Sequence, residues 1–188
     1  TLPSAVKAKA IRVKNTAATK SWWKVFELSA TKGASTEPEP TATVTSTGLD
    51  VYQSYALSRV VDGDEGSYAW VKHNSGGGNI KSGDTITVTY SAPKTVGHVR
   101  YVQGSDKLSA GALEYTVDGS NWVKCGDINS DLEQEFDFEN VQIRGIRVRS
   151  TADTQFWWKV CEIATSKGKE ASTGTIRSDI SGIALKAT

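Results

Sequence analysis

The chain has 188 residues, of which 38% are hydrophobic and 23% are charged, a composition that can bury the core of one domain but hardly of two. Its 22 Lys and Arg residues nearly cancel its 21 Asp and Glu residues, and the basic side chains are scattered. This excludes the basic footprint of a nucleic-acid binder, and no apolar run approaches the ~18 residues of a membrane span. We therefore expect a globular protein that neither binds nucleic acid nor inserts into a membrane.

The first element along the chain is a segment that recurs near its end. An offset of 135 residues aligns IRVKNTAATKSWWKVFELSATKG (residues 11–33) with IRVRSTADTQFWWKVCEIATSKG (residues 146–168), and 13 of the 23 positions are identical. This period is far longer than the roughly 20 to 50 residues of solenoid repeats. It therefore indicates whole modules in tandem.

The repeat also predicts the domain boundaries. Residues 1–33 are expected to close an upstream related module, 34–42 (ASTEPEPTA) to form a linker, 43–168 to form a complete module, and 169–188 to lead into a following one. Because a lone hairpin is marginal in water, we expect the first segment to pack on the complete module. Since the chain begins at Thr1 without a signal-peptide pattern, we also expect it to be an excised part of a larger protein.

The middle of the chain has the pattern of a β-protein. Its runs are rich in Val, Ile, Thr and aromatic residues and have no helical period: TITVTY, GHVRYV, ALEYTV, NWVKC, EFDF, IRVR and FWWKVCEI. In ALEYTV, Leu113, Tyr115 and Val117 are expected on one face of a half-buried strand. Glu114 and Thr116 fall on the other face, and the Asp-Gly pair that follows predicts a turn. Six to eight such strands predict an all-β antiparallel sandwich or barrel.

The two cysteines give a weaker signal. Cys125 and Cys161 lie in apolar, strand-like contexts and fit no metal-binding spacing. Two buried thiols are the favoured interpretation, and a disulfide between them stays open.

Three motifs occur in an order that is typical of one known family. ALSRVVDGDEGSYAW (residues 56–70), LEYTVDGSNWV (residues 113–123) and IRVRS followed by WWKVCEI resemble the coagulation factor 5/8 type C, or discoidin-like, domain. Within that group the chain most resembles family 32 carbohydrate-binding modules. The resemblance covers about 125 residues and implies a jelly-roll, galactose-binding-domain-like β-sandwich.

The resemblance also implies a function. Modules of this kind are appended, often several in a row, to secreted bacterial glycoside hydrolases. We therefore expect a monomeric, non-catalytic module, outside the cell or on its surface, linked to neighbouring modules, that tethers a glycosidase to non-reducing ends of host or mucin-type glycans. Galactose, N-acetylgalactosamine and N-acetylglucosamine remain open as the sugar. The alternative is an adhesion domain for a protein or phospholipid surface.

Catalysis by the chain itself is disfavoured. Only two histidines are present, and His98 lies within the apparent strand GHVRYV. No nucleophile elbow, phosphate-binding loop or zinc spacing appears. A pair of carboxylates for glycoside hydrolysis is not excluded by sequence, because any two acidic residues can meet in space.

A calcium site is expected in the Asp-Gly-Asp loop. Asp62, Asp64 and Ser67 are spaced so that three hard oxygen ligands can converge, as Ca²⁺ prefers, although the same residues also make an ordinary turn. The family resemblance implies three further ligands: the carbonyls of Arg59 and Cys161, and the Glu162 side chain. The ion would be structural.

A sugar site is expected on loops at one end of the sandwich, where an aromatic ring stacks on the sugar and polar groups bind its hydroxyls. Three segments that correspond to the resembled family supply the candidates, which are Trp70, Lys72, His73 and Asn74, then Ser105, Asp106 and Lys107, and then Phe156 and Trp157. Trp70 equally suits the core, and the His-Asn pair equally suits a solvated loop.

Two details refine this site. Adjacent strand residues point to opposite faces, so Trp157 and Trp158 are not both expected in the core, and Phe156 aligns with Ser21 in the other copy, which favours it for setting specificity. Positive charge from Lys72, His73 and Lys107 suggests an acidic substituent such as sulfate, with surface solubility as the alternative.

Overall fold

The structure, a computed structural model, describes residues 39–75 and 77–168, together with Lys14 and Thr16. The chain divides into two compact units, Thr1–Pro38 and Glu39–Thr188. The segments predicted at 1–33 and 169–188, and most of the 34–42 linker, lie outside the described residues, so these boundaries stay predictions. Within the described ranges, no helix is long and apolar enough to cross a bilayer.

Eight antiparallel strands and one short 3-10 helix, Leu57–Val61, make up the described fold. The strands are β1 Ala42–Thr47, β2 Leu49–Val51, β3 Ala69–His73, β4 Thr85–Gln103, β5 Gly111–Thr116, β6 Val123–Ile128, β7 Glu133–Ser150 and β8 Trp158–Ser166. Their hydrogen-bonded order is β2-β3-β8-β4-β7-β5-β6, and β1 also pairs with β4.

Strands β4 and β7 belong to both layers of a sandwich. The first half of β4 pairs with β1 and with the second half of β7, whereas its second half pairs with β8 and with the first half of β7. Register shifts between Thr89 and Lys94 and between Val96 and His98 interrupt the ladder where the partners change. The predicted all-β antiparallel sandwich is confirmed.

The core lies between the two layers because alternate strand residues face inward. Ile86 and Val88 on β4, Ile146 and Val148 on β7, and Trp158 on β8 are 0% exposed. Burying an aliphatic side chain of this size stabilises the fold by about 1.5–3 kcal/mol.

The polar groups inside this core are hydrogen-bonded. The Trp158 Nε1–H donates to the Tyr101 hydroxyl at 2.9 Å, and that hydroxyl donates to Gln103 Oε1 at 3.0 Å. The Gln103 amide then donates to the backbone carbonyls of Asn129 and Asp131. This network joins β8, β4 and the loop before β7, so the layers are held by directed bonds as well as by apolar contact.

The prediction for ALEYTV is partly wrong. Strand β5 ends at Thr116, so Val117 lies beyond it and is 50% exposed, while Glu114 and Thr116 are only 6% and 2% exposed. Glu114 is buried because Arg147 and Arg149 of β7 bind its carboxylate. The two faces of β5 are therefore both covered.

The turn predicted after β5 is confirmed, and the two cysteines agree with expectation in part. Gly119 has φ +87°, and the Asp118 carboxylate accepts the N–H groups of Ser120 and Asn121. Cys125 and Cys161 are free thiols that are half-buried rather than buried.

Candidate functional site

A first cleft, here called the Trp157 cleft, opens where β3 ends. It has a volume of about 350 Å³ and is lined by Lys72, His73, Asn74, Ser75, Gly77, Gly78 and Trp157. The half-buried indole of Trp157 contributes the aromatic surface, with the Lys72 Nζ 5.8 Å from its ring centroid. The cleft thus combines one aromatic ring with several hydrogen-bonding groups.

The imidazole of His73 is held in one orientation. Its Nδ1 lies 3.0 Å from both carboxylate oxygens of Asp84, which is 4% exposed and also accepts the Lys81 N–H at 2.8 Å. Because a carboxylate only accepts, the proton is placed on Nδ1. The Nε2 atom lies 3.1 Å from the Ser75 Oγ, among the residues that line the cleft.

Glycine lets the loop of the cleft pass close to the indole. Gly78 has φ +86°, and a Cβ atom there would lie 3.0 Å from the Trp157 Nε1. Its carbonyl accepts the His73 N–H at 2.9 Å, which closes the loop on the end of β3. A larger residue at this position would push the loop away from Trp157.

A second cleft, here called the Phe156 cleft, shares no lining residue with the first. Its volume is about 510 Å³, and its lining consists of Ser105, Lys107, Leu108, Ser109, Ser130, Asp153, Thr154, Gln155 and Phe156. The Phe156 side chain is 60% exposed. Its backbone is fixed, because its carbonyl accepts both the Thr154 hydroxyl at 2.6 Å and the Ile80 N–H at 3.2 Å.

Four of the predicted calcium ligands, the side chains of Asp62, Asp64, Ser67 and Glu162, lie in or beside the Asp-Gly-Asp loop and are hydrogen-bonded within the protein. The Ser67 hydroxyl donates to Asp62 Oδ2 at 2.8 Å, and the Gly63 N–H donates to Glu162 Oε2 at 2.9 Å. The Asp64 carboxylate accepts the Gly66 N–H at 2.9 Å. Across residues 39–75 and 77–168, no three His, Cys, Asp or Glu side chains converge on a common metal position.

The electrostatics of this loop favour a cation. Burial raises the pKa of Glu162, which is 5% exposed, and the nearby Asp62 and Glu65 carboxylates raise it further. The Asp64 N–H and the Ser67 hydroxyl lower the pKa of Asp62, so that carboxylate is ionised. The predicted donors, three carboxylates, a hydroxyl and two carbonyls, are all hard oxygens, so the residues fit Ca²⁺ in chemical type, but their carboxylates do not converge on one position in the described part of the chain.

Comparison with known proteins identifies the fold family. Residues 41–163 match the F5/8 type C domain. The chain belongs to this family. An exo-β-1,6-galactobiohydrolase of Bifidobacterium longum subsp. longum is 24% identical to this F5/8 type C chain over 102 residues, which are 54% of the chain but 7% of that relative. The chain thus spans only a small part of that protein.

Solved structures share the fold of this F5/8 type C module at low identity. A CBM32 module of a family 31 glycoside hydrolase from Clostridium perfringens has a TM-score of 0.56 at 14% identity, covering 69% of this chain and 96% of that one. Another Clostridium perfringens CBM32 module, solved with GalNAc-β-1,3-galactose, has a TM-score of 0.54 at 15% identity and coverages of 66% and 94%. Chitosan-binding module 1 of a Paenibacillus chitosanase/glucanase has a TM-score of 0.54 at 16% identity and coverages of 68% and 95%. At identities of 14–16%, these solved structures show that the fold is shared.

The structure divides the single predicted sugar site of the F5/8 type C module. Lys72, His73, Asn74 and Trp157 line one cleft, and Ser105, Lys107 and Phe156 line the other. As expected, one residue of the tryptophan pair is in the core: Trp158 is 0% exposed, and Trp157 is half-buried.

Two predicted residues line neither cleft. Trp70 is half-buried in a cluster of aromatic rings, with the centroids of Tyr52 and Trp157 at 5.0 and 5.3 Å. The Asp106 carboxylate lies 3.6 Å from the Nζ of Lys159, and its carbonyl accepts the Lys159 N–H. Both residues support β8, behind the loops that form the clefts.

Sequence reasoning missed several lining and positioning residues. Asp84 follows a Ser-Gly pair, which predicts a turn and no binding role. Ser75 lies in a Ser-Gly run, which predicts only a loop. The lining residues Ser130, Asp153 and Gln155 likewise carried no signal, because ordinary polar loop residues become a site only through folding.

Proposed function

We propose that the module is a non-catalytic carbohydrate binder and that the Trp157 cleft holds one sugar unit. The observation that carries this proposal is the presence of an indole ring together with Lys72, His73 and Asn74 in one concave surface. The indole offers an apolar face for the C–H groups of a pyranose. The imidazole, the amide and the ammonium group offer hydrogen bonds to hydroxyls.

The wider role is that of a tether for a secreted, multi-modular glycosidase on host or mucin-type glycans. Sugars of the galactose, N-acetylgalactosamine and N-acetylglucosamine type are the candidates. Support comes from relatives of known specificity: a galactobiohydrolase, a module solved with GalNAc-β-1,3-galactose and a chitosan-binding module. Such a tether works outside the cell or on its surface.

An acidic substituent such as sulfate is favoured in the Trp157 cleft. Lys72 and His73 both line it, and the Asp84 carboxylate that opposes them is bound to the His73 Nδ1 and the Lys81 N–H. A sulfate would meet a lysine ammonium and an imidazole at short range.

A glycan array that pairs sulfated with unsulfated sugars tests the function and the substituent together. We expect binding to a restricted set of glycans, with the sulfated member of a pair preferred, and titration calorimetry then gives the affinity. Equal binding within pairs would remove the sulfate proposal. Binding to no glycan, with co-sedimentation on liposomes instead, would replace the function by adhesion.

Variants locate the binding surface. Trp157→Ala should abolish binding, and Asp84→Asn should weaken it roughly tenfold because the imidazole loses its fixed proton position. Val117→Ala is the matched control, since Val117 is 50% exposed and lines neither cleft. Unchanged melting temperatures must accompany the losses, and full binding by Trp157→Ala would refute the assignment.

The calcium site is proposed as a structural one. Asp62, Asp64, Ser67 and Glu162, with the carbonyls of Arg59 and Cys161, would hold the ion. When bound, the ion would cross-link the Asp-Gly-Asp loop to β8 and stabilise the folded state by linkage.

A further inference from the structure

The two clefts are formed by consecutive residues of one chain segment. Phe156 lines the larger cleft and Trp157 the smaller one. Their Cα atoms are about 3.8 Å apart, as in any trans peptide, so the two clefts meet along the chain at this peptide bond. A ligand that reaches across this bond would enter both clefts.

The ring of Phe156 is mostly exposed to solvent. It is 60% exposed, the largest exposure among the large hydrophobic residues of the described part of the chain. In residues 39–75 and 77–168, no aromatic or cation–π pair includes it. Trp157, in contrast, packs against Tyr52 with ring centroids 4.8 Å apart. A free aromatic face in a concave surface is what sugar stacking requires.

The polar groups around Phe156 are also available. Within the described ranges, the side chains of four neutral lining residues make no intramolecular hydrogen bond, namely Ser105, Ser109, Ser130 and Gln155. The two charged lining residues, Lys107 and Asp153, are of opposite sign, and Asp153 is paired with Lys81 at 2.9 Å. The four neutral hydroxyl and amide groups suit the hydroxyls of an uncharged sugar unit.

A short hydrogen-bonded path joins the two clefts. Asp153 of the Phe156 cleft accepts from the Lys81 ammonium and from the Ser82 N–H. The Lys81 N–H donates to Asp84, which fixes His73 of the Trp157 cleft. The spacing between the clefts is thus set by directed bonds in one turn, so both can meet a glycan of fixed geometry without rearrangement.

We propose that the Phe156 cleft is a second carbohydrate subsite, which takes a neutral pyranose unit of the same glycan chain that occupies the Trp157 cleft. This inference rests on the proposed function of the Trp157 cleft. It implies that the module recognises at least two linked sugar units rather than a terminal unit alone.

Titration calorimetry of the whole chain with ligands of increasing length tests the proposal. The ligands are N-acetylglucosamine with its β-1,4-linked trimer, and N-acetylgalactosamine with GalNAc-β-1,3-galactose. The intact protein should bind the longer member of its preferred pair roughly tenfold more tightly, at one ligand per chain. Phe156→Ala should remove this gain and leave monosaccharide binding within about twofold, whereas Trp157→Ala should abolish both.

The outcomes separate the subsite from the function on which it rests. If none of the four ligands binds the intact chain, the proposed carbohydrate-binding function is wrong, and the subsite proposal that rests on it is wrong as well. Equal losses of monosaccharide binding in Phe156→Ala and Trp157→Ala would mean that the two residues form one shared site. If Phe156→Ala still binds the longer ligand about tenfold more tightly than the monosaccharide, the Phe156 cleft takes no part in binding. Two ligands per chain would overturn the single-chain geometry. Val117→Ala again serves as the exposed apolar control, and Gln155→Ala tests the cleft without touching an aromatic ring.

Discussion

Three consecutive aromatic residues have three different environments. Phe156 is exposed, Trp157 is half-buried and Trp158 is 0% exposed. The prediction that the two tryptophans are not both in the core is correct, but Trp157 precedes β8, so its partial exposure does not come from strand alternation. The separation of Phe156 from Trp157 was not predictable, because both precede β8, which begins at Trp158, and strand alternation does not apply to them.

The hydroxyl of Tyr101 is the central atom of the buried network. Tyr101→Phe would leave the Trp158 Nε1–H without its acceptor and Gln103 Oε1 with the Leu108 N–H alone. We expect a loss of about 1–3 kcal/mol in the free energy of unfolding, since buried polar groups lose their partners. Urea denaturation at equilibrium measures it.

The control for this variant removes a hydroxyl that bonds to nothing. In the described part of the chain, the half-buried Tyr115 makes no side-chain hydrogen bond. Tyr115→Phe should therefore change stability by less than about 0.5 kcal/mol. Equal costs for the two substitutions would show that the network contributes nothing specific.

At the scale of elements, the sequence predicted strands but divided the two longest. TITVTY and GHVRYV are parts of β4, and EFDF and IRVR are parts of β7. The interval in β4 contains Pro93 and the register shift after Thr89, which read as a break because proline cannot donate to a ladder. In β7, residues 139–145 include Val141 and Ile143, but polar residues and Gly145 separate them from the two predicted runs. The continuity of β7 depended on its long-range pairing with β4, which no local pattern reveals.

One carboxylate, that of Glu114, binds the two arginine side chains that lie on the outer face of β5. Glu114 accepts from Arg147 at 2.6 Å and from Arg149 at 2.7 Å. Burial opposes its ionisation, but the hydrogen bonds from Arg149 and Arg147 outweigh this and lower its pKa from 4.5. Glu114→Gln should cost about 1–2 kcal/mol at pH 7, because the two half-exposed guanidinium groups lose their counter-charge.

The pH dependence of this loss has a definite sign. A lowered pKa in the folded state means that the stabilisation is complete above the ordinary value of 4.5 and is lost as pH falls through the lower folded-state value. The difference between wild type and Glu114→Gln should therefore shrink below about pH 4. Glu133→Gln removes an exposed partner of Arg100 and should change stability by no more than about 1 kcal/mol. A difference that grows in acid would contradict this account.

For the molecule as a whole, calcium should act as a stabilising ligand. At 100 times its Kd, an ion that binds only the folded state adds about 2.7 kcal/mol. Glu162→Gln should lose this gain, yet be no less stable than wild type in EDTA, because it removes a buried carboxylate that faces Asp62. Thermal unfolding in EDTA and in calcium chloride measures both.

Glu65→Gln is the matched control for the calcium experiment. Glu65 is a neighbouring carboxylate that pairs with Arg100 and is not among the proposed ligands. It should keep the full calcium response. An equal response in Glu162→Gln and wild type would remove Glu162 from the site, and no response in wild type would remove the site itself.

The sequence predicted the fold class and the family more completely than the geometry of the candidate site. The three motifs predicted the family and the location of the loops, since motif order survives without coordinates. The division into two clefts depends on how residues 74–75, 77–79, 104–109 and 153–157 fold around one another. Polar loops with few apolar anchors carry little of that information in their sequence.

The two ends of the described module both lie beside the middle of β4. Ala42 at the start of β1 pairs with Tyr90, and Ser166 at the end of β8 pairs with His98, on either side of the segment where the register of β4 shifts. Trp157 lies beyond the opposite end of β8, roughly 30 Å away at about 3.3 Å for each of nine residues. If other segments are joined to the module at these two ends, they would attach away from Trp157, which would leave the Trp157 cleft open to a glycan.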